Sequence, residues 1–259
     1  MSYPHLTHAL SYMPVVRRGA WFASLPSATA ELLLSRMVVR HLRARELLFE
    51  RGDPFDGLYC VVRGVLKLGN VHADGRESIM GLTEASQWFG EIALFDRQPR
   101  SVDGTAEDAC TVLHLPGPEI DQLLREQPSL GVHFGALLAQ KMRTALLALD
   151  AMAHLSRNAR MARYLVMLAT QHWSVLPECT RTTVPFQHEQ IAMLMLVTRQ
   201  TVGLALKDLE AAGIIRRHYG YIDILDWDLL NETAELPTML DAPPSSTQAP
   251  GKVLSFRAA

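Results

Sequence analysis

Cysteine is scarce: Cys60, Cys110 and Cys179 are the three in 259 residues, they stand far apart, and no CxxC pair occurs. That excludes a disulfide framework and leaves no Cys/His cluster with zinc spacing. Long apolar runs are missing too; none approaches the roughly 18 residues of a membrane-spanning helix. The first basic residues are Arg17 and Arg18, with no apolar core after a charged start, so no secretory leader is read. A soluble, cytoplasmic protein without a membrane partner is expected. Neither charge sign dominates: 25 Lys and Arg stand against 27 Asp and Glu, a net charge of -2. The chain has no global field for nucleic acid, so any DNA contact has to be local, on one basic face. Catalytic signatures are also absent. There is no GxxxxGK[ST] loop and no GxSxG elbow, and "HEQIA" at His188 fails the HExxH pattern because its fifth residue is Ala192. The pair His5 and His8 forms no further motif. An enzyme is not expected, and no metal site or certain cofactor is assigned.

What is present is a hydrophobic content of 48 %, enough to fill the cores of two modest domains. From Val38 to Leu115 short strand-like runs such as "GLYCVVRGVLKLG" and "CTVLHL" alternate with turns at "RGDPFDG" and "HADG", the rhythm of an antiparallel roll or barrel. "PSATAELLLSRM" reads as a helix starting near Pro26 and Ser27. Beyond Pro128 the period changes. Gly135, Leu138, Met142, Ala145, Leu149 and Met152 recur at steps of three and four, the seam of a helix that pairs with a second copy or lies on its own domain. Ser156 is placed to cap the helix that follows. After Asn231 the chain turns rich in Pro, Ser and Ala, and a disordered tail is expected.

The segment "FQHEQIAMLMLVTRQTVGLALKDLEAAGIIRRHYGYIDILD" reads as two helices joined by a very short turn, then Gly213 and two strands meeting near Tyr219 and Gly220, a helix-turn-helix with a wing. In the second helix Val202, Leu206 and Leu209 share one face, while Arg199, Gln200, Gly203 and Lys207 share another. Thr198 as N-cap sets Arg199 and Gln200 in the first turn, where a recognition helix reaches base edges. Arg suits guanine and Gln adenine. Arg216 and Arg217, before the wing turn, are expected to grip phosphates. Gly203 within a helix costs about 1 kcal/mol against Ala, so close approach of the first helix or of the DNA backbone is expected to need it.

One further stretch, "GEIALFDRQPRS" from Gly90 to Ser101, has the parts of a phosphate cradle. Gly90 permits close backbone approach, a short helical turn begins near Glu91 and Ile92, Pro99 stiffens the chain, and Arg100 is shaped to fork onto a phosphate. The competing reading is a ligand-free turn held shut by an Arg100–Glu91 pair.

With these three motifs in order, the chain resembles the CRP/FNR family of bacterial transcription regulators from about Leu25 to Asp226. The resemblance implies an α+β fold: an N-terminal antiparallel β-roll of the cyclic-nucleotide-binding type, a long dimerisation helix and a C-terminal winged helix-turn-helix. The expected division is an N-terminal extension (1–20), the sensor domain (21–130), the dimerisation helix (131–155), the DNA-binding domain (156–230) and the tail (231–259). It also implies a homodimer on a pseudo-palindromic double-stranded operator, in contact with RNA polymerase. In members that bind cyclic AMP, the residue matching Glu91 holds the ribose, those matching Arg100 and Ser101 hold the phosphate, and backbone amides after Gly90 and Glu91 assist. This chain departs from that pattern where a Thr-Ser pair would meet the adenine, because Ala145 and Leu146 stand there, and Val102 and Asp103 alter the phosphate side. Cyclic AMP is therefore disfavoured, and a cyclic nucleotide remains one of the options. The first 59 positions lack the cysteines of an oxygen-sensing cluster, and His72 reads as a loop residue rather than a haem ligand. Leu196 stands where the helix-turn-helix turn commonly has Gly, and Gln200 where Glu is frequent. Two alternatives stay open: a nucleotide-binding module that acts on a protein partner, and a family member that needs no ligand.

Overall fold

The computed structural model describes residues 9–71, 77–172 and 174–236. His5, His8, His72 and positions 237–259 of the expected tail lie outside the described residues.

Strands β1 (Val38–Leu42), β3 (Gly57–Arg63), β6 (Trp88–Phe89) and β8 (Cys110–Pro116) form one antiparallel sheet in the order β1-β8-β3-β6. Strands β2 (Leu47–Phe49), β4 (Leu66–Val71), β5 (Glu77–Thr83) and β7 (Asp103–Ala106) form the second, in the order β2-β7-β4-β5. The run "GLYCVV" of β3 is apolar throughout because both of its faces are covered. Tyr59 and Val61 point into the roll with Phe49, Leu66 and Phe89, while Leu58, Cys60 and Val62 pack under helices on the outside. Burial pushes the Cys60 thiol well up and that of Cys110 up to about 11, so both behave as small apolar groups.

The outer layer is made by α1 (Met13–Val16), α2 (Ala20–Ala23), α3 (Ser27–Ser35), α5 (Gly117–Glu126) and the start of α6 (Leu130–His154); a short α4 (Glu91–Asp96) follows β6. Pro26 stands at the N-cap of α3, as its sequence predicts. From positions 9–20, expected as an extension, Ala9 and Val16 are fully buried and join the core. The reason is the aromatic cluster they lead into. Trp21 meets Trp88 edge-on at 4.9 Å, Phe22 stacks on Trp88 at 5.5 Å, and Trp21 Nε1 donates to the His133 carbonyl at 2.7 Å. Helix α6 is thereby fastened at its first turns, where Phe134 and Leu137 are buried.

The second domain comprises α7 (Arg157–Ala169), α8 (His188–Leu194), α9 (Arg199–Ala211), α10 (Trp227–Thr233) and a sheet of β9 (Thr183–Pro185), β10 (Ile215–Arg217) and β11 (Tyr221–Ile224) in the order β10-β11-β9. Both expected caps form: Ser156 Oγ accepts from Ala159 N, and Thr198 Oγ1 from Thr201 N, each at 3.1 Å. Helix α10 carries the fold past 231, where the tail was expected to begin. Asp226 caps it, Leu230 is fully buried, and the buried Arg163 holds the Ala234 carbonyl at 3.0 Å and that of Glu235. The two domains touch directly. Ala20 N donates to Ser174 O at 2.8 Å, Leu176 N to Arg18 O at 2.9 Å, and Arg181 pairs with Glu84 at 2.5 Å.

The turn between α8 and α9 adopts the geometry that glycine would favour. Leu196 sits at φ 53° with 78 % of its surface exposed. The left-handed conformation costs an L-residue about 1–2 kcal/mol, offset by the roughly 0.5–1 kcal/mol of extra unfolded-chain entropy of glycine. Leu196→Gly is expected to stabilise the protein modestly, by about 0.5–1 kcal/mol on that balance, read as a higher midpoint in thermal or urea unfolding. An unchanged or lower midpoint would count against strain at this turn.

Candidate effector pocket and DNA-reading face

Gly90 opens α4 at φ 97°, and a Cβ placed on it would lie 2.6 Å from Arg100 Nη1 and 3.0 Å from Gly57 O. The glycine is required, and its near neighbour is Arg100. That side chain is 5 % exposed and turned into the roll. Its Nη2 donates to Asp56 Oδ1 at 2.5 Å and to Gly57 O at 2.6 Å, and its Nη1 to Gly90 O at 3.4 Å. The guanidinium lies over the rings of Phe49 at 4.7 Å, Phe55 at 5.5 Å and Tyr59 at 5.6 Å. Asp56 also accepts from the Tyr59 hydroxyl, and His114 stacks on Tyr59 at 4.4 Å. Partial burial pushes the Asp56 carboxyl up, but the bonds from Tyr59 and Arg100 outweigh it and hold it below its ordinary value.

The Arg100–Glu91 pair of the competing, ligand-free reading does not form. Glu91, 4 % exposed, instead pairs with Lys141 of α6 at 3.0 Å. Of the five residues assigned to a phosphate cradle, Gly90, Glu91 and Arg100 are buried or half-buried at the end of the roll. Ile92 is 56 % exposed and Ser101 is exposed. Asp103, expected to repel a phosphate, spends one oxygen on Arg51 N at 2.7 Å. Asp56, Tyr59, His114 and Lys141 were missed. "RGDPFDG" signalled only a turn, and nothing in the spacing shows that its second Asp reaches a residue 44 positions on.

Along α6 the residues read as a seam divide by depth. Met142 and Leu149 are 55 % and 57 % exposed, as is Leu146 at 57 %; Ala145 is exposed, and Leu138 and Met152 are half-buried. An apolar stripe thus runs along the open side of the helix.

On α9, Val202, Ala205, Leu206 and Leu209 are buried, while Arg199, Gln200 and Lys207 are exposed. A Cβ on Gly203 would meet nothing within 4 Å, so packing against α8 does not explain it, contrary to one half of the expectation. Arg216 is exposed. Arg217 is not a free phosphate ligand: its Nη2 lies 2.6 Å and its Nε 2.7 Å from Glu210 Oε2, which fixes the start of the wing to α9. His218 pairs with Asp223 at 2.9 Å and stacks on Tyr221 at 4.4 Å, leaving Tyr219 fully exposed at the tip.

A two-layer roll, a long helix and a winged helix-turn-helix with an uncovered recognition helix define a nucleic-acid-binding regulator. Residues 39–127 match the cyclic nucleotide-binding domain family, and residues 159–233 the Crp-like helix-turn-helix domain family. The chain is 29 % identical over 213 residues to the cyclic AMP receptor protein of Thermus thermophilus, covering 82 % of this chain and 95 % of that one. It is 28 % identical over 202 residues to a CRP-like cAMP-activated global transcriptional regulator of Mycobacterium tuberculosis, covering 78 % and 90 %. A solved CRP-family transcriptional regulator from Thermus thermophilus superposes with a TM-score of 0.57 at 25 % identity, covering 75 % of this chain and 96 % of that one. The chain belongs to the CRP/FNR family of DNA-binding transcription regulators, which are not enzymes. No helix among the described residues is long and apolar enough to cross a membrane.

The lowered pKa of Asp56 sets the sign of a pH effect. Its pair with Arg100 stabilises the fold above the unfolded carboxylate pKa of about 3.9 and is lost as pH falls through the lower folded value. Asp56→Asn is expected to lower the urea midpoint at pH 7 and to differ much less from wild type near pH 3. A deficit that stays constant across that range would show that the charge contributes nothing.

Proposed function

We propose that the chain acts as a cytoplasmic homodimer that binds a pseudo-palindromic operator and acts on transcription through RNA polymerase, with its sensor domain answering to an effector other than cyclic AMP. The observation that carries this reading is the face of α9: an N-capped helix with Arg199, Gln200 and Lys207 exposed on one side and its apolar side buried. Thr198 caps the helix, and Gly203 leaves that face low, so a DNA backbone can approach closely. Arg216 adds phosphate contact from the wing, whereas Arg217 has to leave Glu210 before it can do so. The stripe of exposed Met142, Ala145 and Leu149, flanked by half-buried Leu138 and Met152, supports pairing of two α6 helices, which would set two recognition helices about one turn of DNA apart.

The case against cyclic AMP rests on two features. A phosphate at Gly90, Glu91, Ile92, Arg100 and Ser101 has to displace the Asp56 carboxylate from Arg100. Ala145 and Leu146 offer the adenine no hydrogen bond, and an unanswered buried polar group costs about 1–3 kcal/mol.

Two measurements test the reading. Arg199→Ala is expected to lose operator preference in a gel-shift series while keeping weak, salt-sensitive binding, since a bidentate base contact is worth about 1–3 kcal/mol. Unchanged preference would remove Arg199 from the role. Leu149→Glu is expected to shift the wild-type dimer to monomer in sedimentation; a variant that stays dimeric would place the interface elsewhere.

A further inference from the structure

The two domains border a half-open cavity of about 330 Å³ between β4, β5, α6, α7 and the end of α8. That is near the lower end of small-molecule pockets. Its walls are mainly apolar, with Trp21, Leu82, Ala148, Met152, Met167 and Met195 prominent among them. None of Gly90, Glu91, Ile92, Arg100 and Ser101 lines it, but Lys141, which pairs with Glu91, and Ala145, at the position that would meet an adenine, do, so the cavity adjoins the proposed effector pocket, and a ligand proposed for it rests on and deepens that reading.

The polar groups in these walls are unevenly matched. Lys141 is answered by Glu91 at 3.0 Å, and Arg163 by Asp150 at 3.0 Å. Arg160 differs. Its Nη2 donates to Met152 O at 2.9 Å, its Nε is buried with no acceptor, and it has no carboxylate partner among the described residues. Trp88, 3 % exposed, also lines the cavity with its Nε1 buried and unanswered. His172, on the same wall, has its pKa lowered by burial and adds no second unanswered cation at neutral pH. Both orphaned atoms are donors, and one belongs to a cation. Burying such groups unpaired is costly, and an acceptor with negative charge answers both needs. The predominance of apolar wall favours a largely hydrocarbon body.

From this pairing of an apolar chamber with two orphaned donors we infer that the cavity binds a small organic acid, with its carboxylate towards Arg160 and Trp88 and an aliphatic or aromatic body along the methionine-rich walls. Arg160 also lies beside Thr201, Val202 and Ala205 of α9, so occupancy reaches the support of the recognition helix. The ligand shifts the placement of that helix to the extent that it binds one placement better than another.

Decanoate and decanol, titrated into the full chain by calorimetry and tryptophan fluorescence, provide the test. Decanoate is expected to bind at one site per chain, with decanol at least about tenfold weaker, the scale of one charge-assisted hydrogen bond. Ala148→Trp fills the chamber and is expected to abolish decanoate binding. Arg160→Gln is expected to bring decanoate down to the level of decanol. Met152→Phe serves as the filling variant if Ala148→Trp does not melt cooperatively. No decanoate binding, equal binding of the alcohol, or binding that survives a folded cavity-filling variant would overturn the inference. Operator affinity of the ligand-free wild type, measured in parallel, keeps its fate separate from that of the DNA-binding reading.

Discussion

A guanidinium taken out of water has to be answered, and the sensor domain is arranged around one whose two Nη atoms are, although its Nε is buried without an acceptor. Arg100 is 5 % exposed, and its partners come from the turn before β3, from the β3 backbone and from the β6–α4 junction. Three aromatic rings of β2, β3 and the connecting loop close around it. Gly90 lacks a side chain because this arginine passes there. The stretch that resembles a phosphate cradle is thus supplied with an internal carboxylate. Removing one partner of such a pair is far more costly than forming the pair is favourable, which makes Asp56 and Arg100 a unit.

Helix α6 joins this centre to the rest of the molecule. Its first turns are fixed by the Trp21, Trp88 and Phe134 cluster, and its middle by Lys141 on Glu91. Its far end carries Asp150, the partner of Arg163 in α7. One helix therefore touches the sensor roll, the DNA-binding domain and, on its open side, the apolar stripe through Leu149.

Much of the fold was legible in local pattern. Short strand-like runs between turns marked the roll, steps of three and four marked α6, and Ser156 and Thr198 marked helix starts, because these signals depend on residues close in sequence. The exposed face of α9 proposed to read DNA was legible for the same reason: Arg199, Gln200 and Lys207 share a helix face whatever the surroundings. The partner of Arg100 was not legible, since Asp56 lies 44 positions away and both residues look like ordinary surface charges. Arg217 looked like a phosphate ligand until Glu210 proved to hold it, and of the two reasons open for Gly203, a close first helix or a close DNA backbone, its open surroundings remove the first.

The sequence by itself determined the order of the domains, the family, the apolar face of each helix and the chemistry of the recognition helix. Each of these follows from residue type and spacing along one element. Only the tertiary structure decided which charges are answered: Arg100 by Asp56, Glu91 by Lys141, Arg163 by Asp150 and by the backbone of α10's end, and Arg160 by no carboxylate among the described residues. Charge pairing acts through space over a few ångströms, and the fold, not the chain, sets which groups come that close.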